Sequence, residues 1–209
     1  MTSGRFISLE GGEGTGKSTQ AKALTAELEK KGLSVKLTRE PGGTPGAEII
    51  RELLLTGSED KWHIRTEALL FAAARAEHCA KFIGPALARG EWVICDRFID
   101  SSRAYQSVNG ELSDAEIMDL HQIGSNYLMP DRTFILDLPE ALASRRAAAR
   151  DRGDRDRIGG RDSDYHQSVM ANFRQFAAEE PKRIRLVDAS QSADEITEIL
   201  LQNLDDLMP

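Results

Sequence analysis

Near the N-terminus, glycines, a lysine and a serine stand at fixed spacing as Gly11-x-x-x-x-Gly16-Lys17-Ser18, within the run Glu10-Gly-Gly-Glu-Gly-Thr-Gly-Lys-Ser-Thr19. Backbone N–H groups converge on a phosphate only where no Cβ blocks the approach, which accounts for Gly11, Gly14 and Gly16. An apolar run at 5–9 precedes the motif. Ala21, Leu24 and Leu28 follow it at helical spacing, up to Gly32. The first turn of such a helix adds unpaired N–H groups and the positive end of its dipole. In that strand–loop–helix setting Lys17 reaches the β- and γ-phosphates and Ser18 offers a hydroxyl to Mg²⁺. Residues Gly11, Gly12, Glu13, Gly14, Thr15, Gly16, Lys17, Ser18 and Thr19 are thus expected to cradle a nucleoside triphosphate with Mg²⁺. The loop alone does not say what receives the phosphate.

Two further groups carry charge suited to phosphate chemistry. Asp96 and Arg97 follow the apolar run Trp92-Val-Ile-Cys95. Asp96 is placed to hold Mg²⁺ through water or to orient Arg97, and a guanidinium at a strand's mouth grips phosphate oxygens in bidentate fashion. Residues 145–161 hold Arg145, Arg146, Arg150, Arg152, Arg155, Arg157 and Arg161, with aspartates interleaved and Gly153, Gly159 and Gly160 as hinges. For most of these arginines a solvated helix end is reading enough. Phosphoryl transfer nevertheless depends on positioning and charge neutralisation, and an arginine segment closing over the triphosphate would supply charge and exclude water.

These groups need elements to position them. Strand-like runs occur at 5–9, 33–38, 92–95, 133–136 and 184–187, and helical patterns lie between them: 17–31, 46–55 with Ile49, Ile50, Leu53 and Leu54 inward, and a long one at 65–89 striped by Leu70, Phe71, Ala74, His78 and Phe82. Ser113-Asp-Ala-Glu116 and Ser192-Ala-Asp-Glu195 read as capping boxes. The first opens a helix with Ile117, Leu120 and Ile123 inward. A further helix carries Val169, Phe173 and Phe176. Alternating strands and helices predict an α/β fold, a five-stranded parallel sheet with helices on both faces, whose ligands sit at the carboxyl ends of the strands. The phosphate loop, Arg39 and Asp96-Arg97 all fall there.

A chain of 209 residues is enough for one domain, 1–209. No run of 18 apolar residues occurs, so no membrane span is expected. The start Met-Thr-Ser-Gly-Arg leaves no room for a signal peptide, and Cys79 and Cys95 form no CxxC pair, which fits a reducing cytoplasm. A net charge of −7 argues against a nucleic-acid-binding surface.

The stretch Asp96-Arg-Phe-Ile-Asp-Ser-Ser-Arg-Ala-Tyr-Gln106 resembles the signature of thymidylate kinases, which transfer the γ-phosphate of ATP to dTMP. So do the loop at 10–19, Thr38-Arg-Glu-Pro-Gly-Gly-Thr44, Leu69-Leu-Phe-Ala-Ala-Ala-Arg-Ala-Glu-His78 and Val187-Asp-Ala-Ser-Gln-Ser192. These five pieces, in order, span nearly the whole chain. The resemblance implies a P-loop NTPase fold of the nucleoside monophosphate kinase type, with a lid at about 145–162, a homodimer, and ATP and Mg²⁺ as requirements. It implies that Phe71 stacks on the pyrimidine and Arg75 bonds its carbonyl edge; a spacing of four puts both on one helix face. Periodicity alone makes Phe71 a core residue. Arg39 and Arg97 hold the dTMP phosphate, Ser101 and Ser102 lie near the base, Tyr105 packs beside the sugar's C2′, and Gln106 completes the motif.

Some members of that family carry an arginine in the phosphate loop. Here Gly14 follows Glu13, so the charge is expected from the lid, with Arg152 first and Arg150 next. Glu13 is assigned to the lid arginine or to the dTMP sugar. Arg145 or Arg146 flanks the adenine, with Gln191 in the loop that frames it. Two departures stand out: Phe98 replaces a common tyrosine, and Ala74 replaces a frequent aspartate, which predicts a different orientation for Arg75. The rival readings are a kinase of another nucleotide or of a nucleoside on the same scaffold, and a phosphate-loop protein that uses ATP as a conformational switch.

Overall fold

The five strand-like runs become five parallel strands in the computed structural model, which describes residues 4–151 and 156–209. They are β1 (Phe6–Glu10), β2 (Val35–Arg39), β3 (Trp92–Asp96), β4 (Arg132–Asp137) and β5 (Ile184–Asp188), in the order β2-β3-β1-β4-β5. The chain leaves the central β1 for the β2 edge, fills in β3, then crosses to β4 on the other side. The carboxyl end of β1 therefore lies at the switch point, where crossovers on the two sides diverge and open a crevice.

Alternation along the strands divides the core. Ile7 and Leu9 of β1, with Ile94 of β3 and Phe134 and Leu136 of β4, pack against α1 (Lys17–Lys30) and α9 (Ala193–Gln202). Phe6, Val93 and Cys95 face the other way, against helices that include α3 (Ile64–His78), α4 (Gly84–Ala88) and α6 (Asp114–Ser125). A third cluster joins α5 (Ile99–Gln106) to α8 (Ser163–Glu179) around Ile135, Val169 and Phe173. Each fully buried Phe or Leu contributes about 1.5–3 kcal/mol. Phe6 and Phe98 meet edge to face at 4.7 Å, so Phe98 repays the absence of a tyrosine hydroxyl with packing.

Both capping boxes form as the sequence predicts. The 65–89 helix is interrupted: α3 runs into a π-helical turn at Cys79–Ile83 and restarts as α4, with Pro85 in its first turn. Its stripe is buried at Ala74 and His78 and half-buried at Leu70, Phe71 and Phe82. In α2 (Pro45–Leu55) only Leu54 of the four expected residues is fully buried; Ile49 and Leu53 are exposed, as is Ile123 of α6. Apolar spacing marks a face without saying that this chain covers it. The α7 helix (Glu140–Asp151) follows Pro139. Among the described residues no helix is long and apolar enough to cross a membrane.

Candidate active site

The phosphate loop closes against the sheet and α7. Gly11 (φ 130°), Gly14 (φ 71°) and Gly16 (φ 94°) adopt left-handed conformations, and Gly16 caps α1. A Cβ on Gly11 would stand 2.6 Å from the Leu136 carbonyl oxygen, and one on Gly14 2.2 Å from that of Ala143. Those two glycines are thus required by close backbone approach as well as by φ. Thr15 Oγ1 donates to the Gly12 carbonyl at 3.0 Å, and Lys17 Nζ donates to the same oxygen at 2.6 Å. The lysine is folded back across its own loop and buried. That burial, and then the nearby Arg97 guanidinium, pulls the Lys17 ammonium down to about 8.

The carboxyl ends of β1 and β3 add the facing groups. Ser18 Oγ donates to Asp96 Oδ2 at 2.5 Å. One hydroxyl and one carboxylate suit Mg²⁺, which takes few protein oxygens and fills its shell with water and phosphate. Arg97 has a left-handed backbone (φ 70°). It donates to the Gly11 carbonyl at 3.0 Å, to Ser101 Oγ at 3.1 Å and to Glu13 Oε1 at 2.7 Å, over the ring of Tyr105. Although burial disfavours its charge, Tyr105 and the carboxylates of Glu13 and Asp96 hold its guanidinium above the ordinary value. Glu13, expected to serve the lid arginine or the sugar, here pairs with Arg97.

One cleft of about 640 Å³ joins the phosphate loop to the remaining residues singled out in the sequence. Glu13, Gly14, Thr15, Gly16, Lys17, Ser18 and Thr19 form one wall, while Gly11 and Gly12 lie outside its lining. Asp96 and Arg97 line it in direct contact with that loop, and Arg39, Phe71 and Arg75 line it too, with Ser101, Ser102, Tyr105 and Gln106 from α5. Arg39, paired in register with Asp96, donates to Glu48 at 3.1 Å. Phe71 is half-buried against the cluster that holds Tyr105, so it serves the core and lines the cleft at once. The Tyr105 hydroxyl is buried and makes no well-aligned hydrogen bond among the described residues. Arg146 and Gln191 line the far end, and Arg146 donates to the Ala189 carbonyl at 3.1 Å. Arg145 does not reach the cleft lining. Arg152 lies outside the described residues, as does the side chain of Arg150.

Arg75 has its orientation from a distant loop, in place of the neighbouring aspartate. Its Nε donates to Glu40 Oε2 at 2.8 Å, and Nη2 donates to Ser102 Oγ at 2.8 Å and to the Phe98 carbonyl at 3.3 Å. Glu40 also meets His78 Nδ1 at 3.1 Å, and His78 Nε2 meets Thr38 Oγ1 at 2.7 Å. Both Arg75 and Glu40 are buried, and such a pair holds its members tightly because neither tolerates losing the other.

Glu40, Glu10, Glu67 and Arg51 were not singled out in the sequence. Glu10 ends β1, fully buried, and accepts the Phe98 N–H at 2.7 Å and the Ser101 hydroxyl at 2.5 Å. It thereby pins the turn that carries Arg97. Burial, with Asp100 nearby, pushes its carboxyl up to about 8. A charge-bearing residue closing an otherwise apolar strand beside a phosphate loop was the available signal. Arg51 of α2 lines the cleft and donates to the Pro41 carbonyl at 2.7 Å; nothing in its spacing marked it out.

A family model described as thymidylate kinase matches residues 9–199. The chain belongs to the thymidylate kinase family. It is 54% identical over 206 residues to the thymidylate kinase of Rhizorhabdus wittichii, covering 99% of each chain. Against that of Caulobacter vibrioides it is 45% identical over 197 residues, with 94% of each covered. The crystal structure of thymidylate kinase from Ehrlichia chaffeensis superposes with a TM-score of 0.79 at 29% identity, over 97% of this chain and 100% of that one. The five-stranded parallel order is thus that of a P-loop nucleoside monophosphate kinase, as the motifs imply.

Proposed function

We propose that this chain catalyses ATP + dTMP → ADP + dTDP with Mg²⁺. The observation that carries the reading is one cleft in which Lys17 and the phosphate loop face Arg97, Phe71 and Arg75. A triphosphate site and a site for a planar base with an anionic tail therefore share one space.

The loop amides and the α1 N-terminus bind the β- and γ-phosphates, and Lys17 leaves the Gly12 carbonyl to bridge them. Ser18 and Asp96 hold Mg²⁺, which supplies charge neutralisation at the phosphate oxygens when bound. Arg97 and Arg39 hold the dTMP phosphate, one of whose oxygens attacks the γ-phosphorus in line; the Pγ–O bond to the β-phosphate breaks and ADP leaves. Arg51, at the cleft wall beside Arg39, adds positive potential. Phe71 stacks on the base and Arg75 bonds its carbonyl edge, with Ser101, Ser102 and Gln106 around it and Tyr105 beside C2′. Arg146 and Gln191 frame the adenine. The chain acts as one kinase domain, 1–209, whose lid at about 145–162 supplies Arg152 over the transferred phosphoryl group.

Exposed Ile49, Leu53, Leu69 and Ile123 lie on α2, α3 and α6, of which α3 packs against the other two, and they support a homodimer through those helices. The reading places the enzyme in the cytoplasm, with no nucleic-acid partner.

The deciding experiment measures ADP release with ATP and Mg²⁺ for dTMP, dUMP, dCMP, dGMP, AMP, UMP and thymidine. Rapid turnover with dTMP, weaker with dUMP and negligible with the rest, is expected. A different preferred acceptor overturns the base-site assignment. ATP binding without acceptor-stimulated ADP release overturns the kinase reading in favour of an ATP switch.

A further inference from the structure

Glu67 is an acidic side chain with no exposed surface, one helical turn before Phe71 on α3. Its two oxygens divide between two parts of the site. Oε1 accepts from Gln106 Nε2 at 3.0 Å, at the nucleobase end of the cleft. Oε2 accepts from Arg157 at 2.5 Å and from Arg161 at 2.7 Å, both in the arginine-rich segment. Arg157 is itself buried, and its remaining donors reach the Leu54 and Glu59 carbonyls at 2.8 and 3.1 Å. Ile158, between the two arginines, is buried in the cluster that Phe71 packs against, and it lines the cleft. A second thread runs in parallel: Arg161 donates to Tyr165 Oη at 2.5 Å, and that hydroxyl donates to the Tyr105 carbonyl at 2.9 Å.

One carboxylate facing two guanidiniums leaves no spare negative charge, so neutralising Glu67 removes the only anion that Arg157 and Arg161 share among the described residues and leaves them their neutral partners alone. The contacts are also short and directional, so displacement on one side is felt on the other. We propose that Glu67 is a positioning residue that couples occupancy of the nucleobase pocket to the placement of residues 156–161. On the kinase reading above, on which the proposal rests, filling the pocket beside Gln106 would settle the arginine segment before phosphoryl transfer.

The test compares wild type with Glu67→Gln. With dTMP alone, hydrogen exchange across 156–162 is expected to slow in wild type and to be unaffected by dTMP in the variant. In turnover, Glu67→Gln is expected to raise KM for dTMP and to lower kcat, each by about tenfold, the effect of one weakened charge-assisted hydrogen bond. Gln106→Leu should move mainly KM, and Arg161→Met mainly kcat. Glu67→Gln added to Arg161→Met should cost little further kcat, because the two act through one contact.

A purely structural Glu67 predicts a lower Tm with unchanged KM, kcat and exchange response, or losses that add independently; either result overturns the proposal. If Glu67→Gln does not fold, Glu67→Asp keeps the charge, draws the carboxylate back by one methylene, and must show the same split. Absence of dTDP formation by wild type would instead overturn the kinase reading itself.

Discussion

Tyr105→Phe isolates one atom. The Tyr105 ring lies under the Arg97 guanidinium, 5.1 Å from its centroid, and meets the rings of Tyr165 and Phe173 edge-on at 6.2 and 6.3 Å. Phenylalanine keeps all three contacts. The hydroxyl is buried close to the Arg97 guanidinium without a well-aligned hydrogen bond among the described residues, and burial pushes its phenol above the ordinary value. An unsatisfied buried hydroxyl costs about 1–3 kcal/mol. Removing it should stabilise the ligand-free protein by about 1–2 kcal/mol, a rise in Tm of roughly 2–8 °C for a chain of this length. With dTMP bound, a ligand oxygen gives the wild-type hydroxyl its partner, so the variant forgoes about 0.5–1.5 kcal/mol, roughly two- to tenfold in KM for dTMP. The assay is thermal unfolding with and without saturating dTMP, together with KM. The variant should melt higher when free and gain less from dTMP. A lower Tm for free Tyr105→Phe would show that the hydroxyl is already satisfied. An unchanged dTMP-induced shift would show that the ligand never meets it.

Other outcomes follow from the same geometry. Lys17, held near 8 against an ordinary 10.5, destabilises the fold below pH 8, and this is relieved as pH rises from 8 towards 10.5, where the unfolded chain binds more protons. ATP should restore its charge, so calorimetric titration at pH 8.5 should show proton uptake as a buffer-dependent enthalpy that fades by pH 6.5; equal enthalpies in all buffers at pH 8.5 would contradict this. Glu10 has the opposite sign: its stabilising contribution is complete below its ordinary 4.5 and is lost as pH rises through 8. Urea unfolding of Glu10→Gln should therefore gain on wild type across that window, and parallel pH profiles would refute the assignment. Gly14→Ala combines a left-handed φ of 71° with a Cβ 2.2 Å from a backbone oxygen, so ATP affinity should fall at least about thirtyfold, or 2 kcal/mol. Gly32→Ala, with φ 87° and open space around it, should cost stability only, and an ATP affinity as poor as that of Gly14→Ala would refute the steric argument.

Much of this protein was legible in its sequence because the relevant physics is local. The phosphate loop reads directly because its residues are contiguous and each answers one geometric demand. Strands buried on both faces appear as apolar runs, and both capping boxes are three-residue relations that the fold left intact. The α5 helix was not legible as a helix: all eight of its residues are buried, so no polar face alternates with an apolar one. Ile49, Leu53 and Ile123 fit helical stripes yet face outward, since periodicity cannot say which surface covers a stripe.

The carboxylates that organise the site belong to tertiary structure. Glu10 meets Ser101, Glu40 meets Arg75, and Glu67 meets Arg157 across 91, 35 and 90 residues respectively. Burial then gave each of them its importance, because a carboxylate withdrawn from water must find donors, and only the parallel crossovers determine which donors are within reach.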